Sequence, residues 1–231
     1  MDKNRLRFAL SDGGVKHKYL ARMLKSLGYE AIFAEEDEVK DGYIYITPKL
    51  KNAANFKHCA IEYLKRDDFK QSNGILTAEA ALQVAMENTD FALCSCRALV
   101  AGSGAIAFPL AYRLKSLGAF VTLTARNHAA LEKARLDGIQ ALDLSFAGGE
   151  YDIIFNTIPA LVFDKPTLNA FNKNTLIIDL ASLPGGVDKA AAEELGIAFI
   201  PALALPGKYM PRTAAKVILA SVQNAIKEMT L

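Results

Sequence analysis

No run of about 18 uninterrupted apolar residues occurs in the 231-residue sequence, so a membrane-spanning helix is not expected. Charge of one sign is scarce too. The 27 Lys and Arg against 25 Asp and Glu leave a net charge of +2, too little to recruit nucleic acid or a membrane surface. Any phosphate binding must therefore come from local geometry. Cysteine is sparse: Cys59, Cys94 and Cys96 match no zinc or redox spacing. They read as buried free thiols in a reducing cytoplasm; a place for Cys94 and Cys96 within a strand is the weaker alternative. The start, MDKNRLRFAL, turns polar at SDGG, too soon for a signal peptide. The 52% hydrophobic and 23% charged fractions describe an ordered chain long enough for two compact units.

What the sequence has in quantity is short apolar runs alternating with helical patterns. After about residue 97 come RALVA (97–101), FVTLTA (120–125), QALDL, YDIIFN (151–156), TLIIDLA (175–181) and IAFIPALA (197–204), separated by helix-like segments. Continuous apolar strands of this kind belong to a parallel sheet covered on both faces. Gly118, Gly138 and Gly196 stand where helices end in a left-handed residue. The fold class is α/β: a doubly wound parallel sheet of the Rossmann kind, with a smaller N-terminal α/β domain. In that first domain RFALSDGG is a strand and a glycine turn, KYLARMLKSLGYE a helix, and AIFAE and YIYITP (43–48) two more strands. The expected division is a substrate-side domain over 1–92 with a bridging helix at 77–90, a nucleotide-binding domain over 93–208, and a C-terminal helix over 209–231 packing back on the first domain. Thr77 would cap the bridging helix, and Glu79 would favour its positive end.

The segment Gly102-Ser103-Gly104-Ala105-Ile106-Ala107 follows a strand and opens a helix. Its first glycine permits the tight turn, and its second lets the backbone approach a pyrophosphate at the helix N-terminus. The next strand ends at Arg126-Asn127, where NAD-binding domains carry an acid on the ribose hydroxyls. A guanidinium suits a 2′-phosphate, so NADP is the expected cofactor, with Asn127 and His128 as further donors. The bland alternative is a solvated strand-end arginine. Asn156, Thr157, Ile158 and Pro159 end a later strand and would border the ribose and nicotinamide; a simple strand-ending turn is nearly as good a reading. Lys208 and Arg212 are the notable cations of the last loop.

YLKRDDFKQSNGILTAEAALQVAMENTD (63–90), NTIP (156–159), LIIDLASLPGG (176–186) and LPGKYMPRTAA (205–215) together resemble the family of the dipicolinate synthase A subunit. The likeness runs from about Tyr63 to the end. The N-terminal part departs from it: DGGVKHKYL (12–20) lacks the family's Asp-x-Arg turn, and the first domain is shorter. The resemblance implies NADP-dependent oxidation of dihydrodipicolinate to the spore metabolite dipicolinate, in a cytoplasmic homodimer working with a flavoprotein-like B subunit. A dianionic substrate calls for Lys208, Arg212 and the helix N-terminus at Thr77 as its carboxylate site, with Glu79 or Asp179 as acid/base groups and no metal. Two other readings stay open. One is a shikimate-dehydrogenase-like NADP reductase, suggested by the Asn-Thr-x-Pro loop. The other is a non-catalytic NADP-binding protein, suggested by the trimmed first domain.

Overall fold

The computed structural model describes residues 6–146 and 148–229, and these form two compact units. One takes in residues 1–73 and 206–231, the other Gly74–Leu205. The boundaries thus differ from the expected 92/93 and 208/209.

In the first unit, β1 (Arg7–Leu10), β2 (Glu30–Phe33), β3 (Tyr43–Thr47) and β4 (Ala60–Glu62) make a parallel sheet in the order β2-β1-β3-β4. Helix α1 (Val15–Ser26) follows β1. The 19-residue α8 (Pro211–Met229) belongs to the same unit. Alternation along β1 decides the faces. Phe8 and Leu10 are buried with Leu20 and Leu24 of α1 and with Ile218 and Val222 of α8, while Ala9 lies with Tyr43 and Tyr45 on the other face. Buried positions Ala214, Ala215, Ile218, Ser221, Val222 and Ala225 recur every three or four residues along α8, the stripe a helix needs to cover a sheet. Each large aliphatic buried this way contributes roughly 1.5–3 kcal/mol. A polar knot fixes the same helix: Arg66 bonds Glu228 twice at 2.8 Å and Asp68 twice at 3.2 Å, and Asp68 also accepts from Ser221 (2.7 Å) and Asn224 (2.9 Å). The RDD triplet of the resemblance is therefore structural in this chain.

Helix α2 runs from Asp67 to Glu87, ten residues earlier than the expected start at Thr77. Asp67 and Asp68 occupy its first turn, where the helix dipole favours them, and Asp68 accepts from Phe69 N at 2.7 Å. Gly74 lies within the helix. A Cβ there would collide with the backbone carbonyl of Ala105, so close approach explains the glycine. Thr77 is consequently a buried residue in mid-helix and caps nothing, which corrects the expected carboxylate site; Glu79 is exposed on the same helix.

The second unit carries β5 (Arg97–Ala101), α3 (Ala107–Ser116), β6 (Phe120–Ala125), α4 (His128–Leu136), β7 (Gln140–Asp143), β8 (Ile153–Asn156), α5 (Lys165–Leu168), β9 (Leu176–Asp179), α6 (Lys189–Leu195) and β10 (Ala198–Pro201). Its six strands are all parallel, in the order β10-β9-β8-β5-β6-β7. This is the doubly wound Rossmann arrangement, and the first unit is the smaller α/β domain. Gly118, Gly138 and Gly196 do follow their helices at φ of 90°, 69° and 71°. The cysteines depart from expectation. Cys94 and Cys96 precede β5 rather than lying within it, and Cys59 and Cys94 are exposed, leaving only Cys96 buried. A short helix α7 (Leu205–Tyr209) was not anticipated. Among the described residues, no helix is long and apolar enough to cross a membrane.

Candidate functional site

The chain leaves β5 for β6 on one side and reaches β8 on the other, so the sheet has its topological switch point between β5 and β8. In parallel α/β sheets ligands bind at the carboxyl ends of the strands at such a point. The glycine turn stands there. Gly102 has φ of 121°, and a Cβ on it would strike Thr157 Oγ1, so no other residue fits. Gly104 faces open space, with nothing within 4 Å of an added Cβ. Helix α3 has no side-chain cap and no acid in its first turn. Among the described residues, the backbone N–H groups of Ser103, Gly104, Ala105 and Ile106 have no hydrogen-bond partner. Orphan donors at a helix N-terminus beside an open surface are the physical requirements of a diphosphate cradle. Pro109 is the third residue of α3, inside the turn where a missing N–H costs little.

Arg126 directly follows β6, exposed and, among the described residues, without a hydrogen bond or ion pair. Asn127 is the N-cap of α4; its side chain accepts from Ala130 N at 3.1 Å, so its oxygen is engaged and only its amide hydrogens remain. His128 is exposed in the first turn. Asp143 ends the neighbouring strand, opposite Ala125. Its carboxyl is held below the usual range by bonds from the Ser145 hydroxyl and N–H, with His128 and Arg126 adding to the effect.

The Asn156-to-Pro159 segment behaves differently from its sequence reading. Asn156 is fully buried, donates to Asp179 Oδ1 (2.8 Å) and Ile158 O (3.1 Å), and accepts from Ile158 N (3.0 Å). Asp179, also buried, accepts from Ala181 N (3.1 Å) and Gly186 N (3.0 Å). Thr157 donates to Ala101 O at 2.7 Å. Asn156, Thr157 and Asp179 therefore tie three strand ends together; their polar groups are spent within the protein and not held out to a ligand. Ile158 is half-buried and Pro159 exposed, so the apolar face of the loop is what remains for contact.

Lys208 and Arg212 are exposed in the first unit, Lys208 with its Nζ 4.8 Å from the Tyr209 ring centroid. Sequence reasoning passed over Lys16 and His17. His17 is fully buried, with Nδ1 2.6 Å from Ser11 O and Nε2 3.0 Å from the Tyr63 hydroxyl. The signal was available, as a histidine and a lysine directly after the Gly13-Gly14 turn.

The dipicolinate synthase A subunit of Bacillus subtilis (strain 168) is 32% identical over 180 residues, which cover 77% of this chain and 61% of that protein. The chain is a homologue of the dipicolinate synthase A subunit. It spans about three-fifths of the length of that relative. The crystal structure of the same synthase component from Bacillus halodurans superposes with a TM-score of 0.85 at 23% identity, covering 96% of this chain and 98% of that one. The apo-structure of D-lactate dehydrogenase from Escherichia coli gives 0.63 at 14%, covering 97% of each. At these identities the likeness is one of fold alone. No family model matches.

Proposed function

We propose that the chain is an NADP-dependent oxidoreductase that converts dihydrodipicolinate to dipicolinate. The observation that carries the cofactor half is the open glycine turn at the switch point, with Arg126 unpaired among the described residues at the end of β6. The N–H groups of Ser103, Gly104, Ala105 and Ile106 would hold the diphosphate, and Arg126 the 2′-phosphate, by charge-assisted and geometrically paired bonds. Asn127 and His128 stand beside it. Asn156 and Thr157 hold Ile158 and Pro159 as an apolar wall for the nicotinamide. The substrate half rests on the homology to the dipicolinate synthase A subunit.

The bound cofactor supplies a hydride acceptor. The ring carbon of the dihydro acid loses hydride, a ring proton passes to Glu79 and from there to solvent, and an aromatic dianion results. Aromatisation makes the step favourable without a strong base, so this chain's task is orientation and exclusion of water. Lys208 and Arg212 are the proposed cations for the substrate carboxylates, with Glu79 as the candidate proton acceptor. Thr77, buried in mid-helix, has no part in that carboxylate site. A cytoplasmic homodimer and a flavoprotein-like second component belong to the same proposal; the relative's name, which makes it one subunit of a synthase, supports the latter.

Titration of NADPH and NADH fluorescence with wild type and Arg126→Ala tests it. Preference for NADPH should fall by about tenfold or more in the variant, the worth of a charge-assisted phosphate contact. Failure of the wild type to bind either nucleotide would make the glycine turn structural and end the proposal. Dihydrodipicolinate-dependent NADPH formation by the purified chain would exclude the non-catalytic reading.

A further inference from the structure

We propose that Lys16, in the first turn of α1, holds a carboxylate group of the substrate. For the class of ligand this rests on the oxidoreductase reading above; for its place it rests on the first unit alone. The sheet order β2-β1-β3-β4 gives this unit a switch point of its own, because the chain goes from β1 to β2 on one side and then crosses to β3 on the other. The turn Ser11-Asp12-Gly13-Gly14 leaves β1 beside that point, and α1 begins immediately after it. This is the position at which parallel sheets place their ligands.

Three features set the place apart from an ordinary helix start. First, Lys16 is half-buried yet, among the described residues, forms no ion pair. Burial without a counter-charge lowers its pKa, because desolvation disfavours the ammonium. Its Nζ lies 5.9 Å from the Tyr63 ring centroid, and its stem runs past Gly207, where a Cβ would come within 3.5 Å of Lys16 Cδ. Second, the Ser11 hydroxyl oxygen is buried without any hydrogen-bond partner. Such an orphan is costly unless something completes it. Third, the α1 start has a glycine at its N-cap, no side-chain cap and no acid in the first turn, and the N–H groups of Val15 and Lys16 are unpaired among the described residues.

The neighbouring titratable groups do not compete. His17 is kept neutral by burial, Tyr63 is held protonated by burial, and the two bond each other at 3.0 Å. Asp12 is exposed and turned back on Gly14 N at 2.9 Å. Lys16 is the cation that this cluster presents.

Full-length wild type, Lys16→Met, Lys16→Arg and, as a bystander on the same helix, the exposed Lys18→Met would be titrated calorimetrically with dipicolinate and with the mono-acid picolinate. NADPH affinity would be measured in parallel by fluorescence. Lys16→Met should weaken dipicolinate binding about tenfold or more, Lys16→Arg much less, and Lys18→Met not at all, with NADPH affinity the same throughout. If circular dichroism shows that the Met variant does not fold, Lys16→Gln decides. Unchanged dipicolinate affinity in a folded neutral variant overturns the proposal, as does wild type that binds neither acid. Loss of NADPH binding in wild type sinks the nucleotide reading instead, and the carboxylate titrations still judge Lys16.

Discussion

Replacing Asn156 by alanine probes whether the strand-end knot of the second unit is what shapes the proposed nucleotide site. The side chain makes three hydrogen bonds from a fully buried position: two with the Ile158 backbone and one with the Asp179 carboxylate. A neutral bond is worth about 1 kcal/mol and one to a charged partner about 1.5–3 kcal/mol. Their sum is about 3.5–5 kcal/mol, before any contribution from the small cavity. Alanine also leaves Ile158 N–H and C=O without these partners and removes a donor from Asp179, so the loss falls at the upper end. Thr157→Val is the internal scale, since it removes one neutral side-chain bond to Ala101 O and should cost about 1 kcal/mol. Urea denaturation followed by circular dichroism gives both values, and NADPH titration of the folded variants gives the functional reading. Asn156→Ala should weaken NADPH although its side chain would touch no part of it. A loss below about 1 kcal/mol with unaltered NADPH affinity would refute the argument, because bonds so buried cannot be that cheap to break.

Two further outcomes follow from buried titratable groups. His17 lies below its ordinary value of 6.5 because burial disfavours its charged form, so the unfolded chain takes up a proton there before the folded one does. Its contribution is intact above pH 6.5 and is lost as pH falls below that value. The urea midpoint should therefore drop between about pH 7.5 and about pH 5.5, and the drop should shrink in His17→Gln; an equal drop in the variant rejects the assignment. Burial raises the Cys96 thiol to about 11, whereas Cys59 and Cys94 are exposed. Iodoacetamide under native conditions should label Cys59 and Cys94 first and reach Cys96 only with denaturant, as mass spectrometry of the peptides will show.

The sequence was most readable where burial is complete on both faces. RALVA and FVTLTA coincide with β5 and β6 because continuous apolar strands leave little choice of partner. It was least readable where a contact from far along the chain decided the outcome. The bridging helix expected from Thr77 extends back to Asp67 through Gly74, where the Ala105 backbone leaves no room for a Cβ. Asn156 looks like a ligand donor until Asp179, 23 residues on, is found bonded to it. Cys94 looks buried among apolar neighbours, yet the turn before β5, with Ser95 at φ of 69°, puts it outside. Arg126 stands where the strand pattern puts it, directly after β6 and, among the described residues, without a hydrogen bond or ion pair.

The two glycine turns are built from similar words and differ in what they present to a ligand. LKSLG closes both α1 and α3, with Gly28 and Gly118 at φ of 87° and 90°, so each turn opens a helix of the same build beside a switch point. In the second unit, Gly104 faces empty space, and a diphosphate can lie across the bare backbone. In the first, the His17 imidazole already fills the space that a Cβ on Gly13 would take, and its bonds to Ser11 O and the Tyr63 hydroxyl lock it there. Yet Gly102 is packed in the same way against Thr157, and Gly14 is as open as Gly104, so space alone does not separate the two turns. The donors separate them. Among the described residues the second turn offers four unpaired N–H groups, Ser103 to Ile106, which suits the diphosphate proposed there. Among the same residues the first offers those of Val15 and Lys16 beside the Lys16 ammonium, which suits the single carboxylate proposed for it.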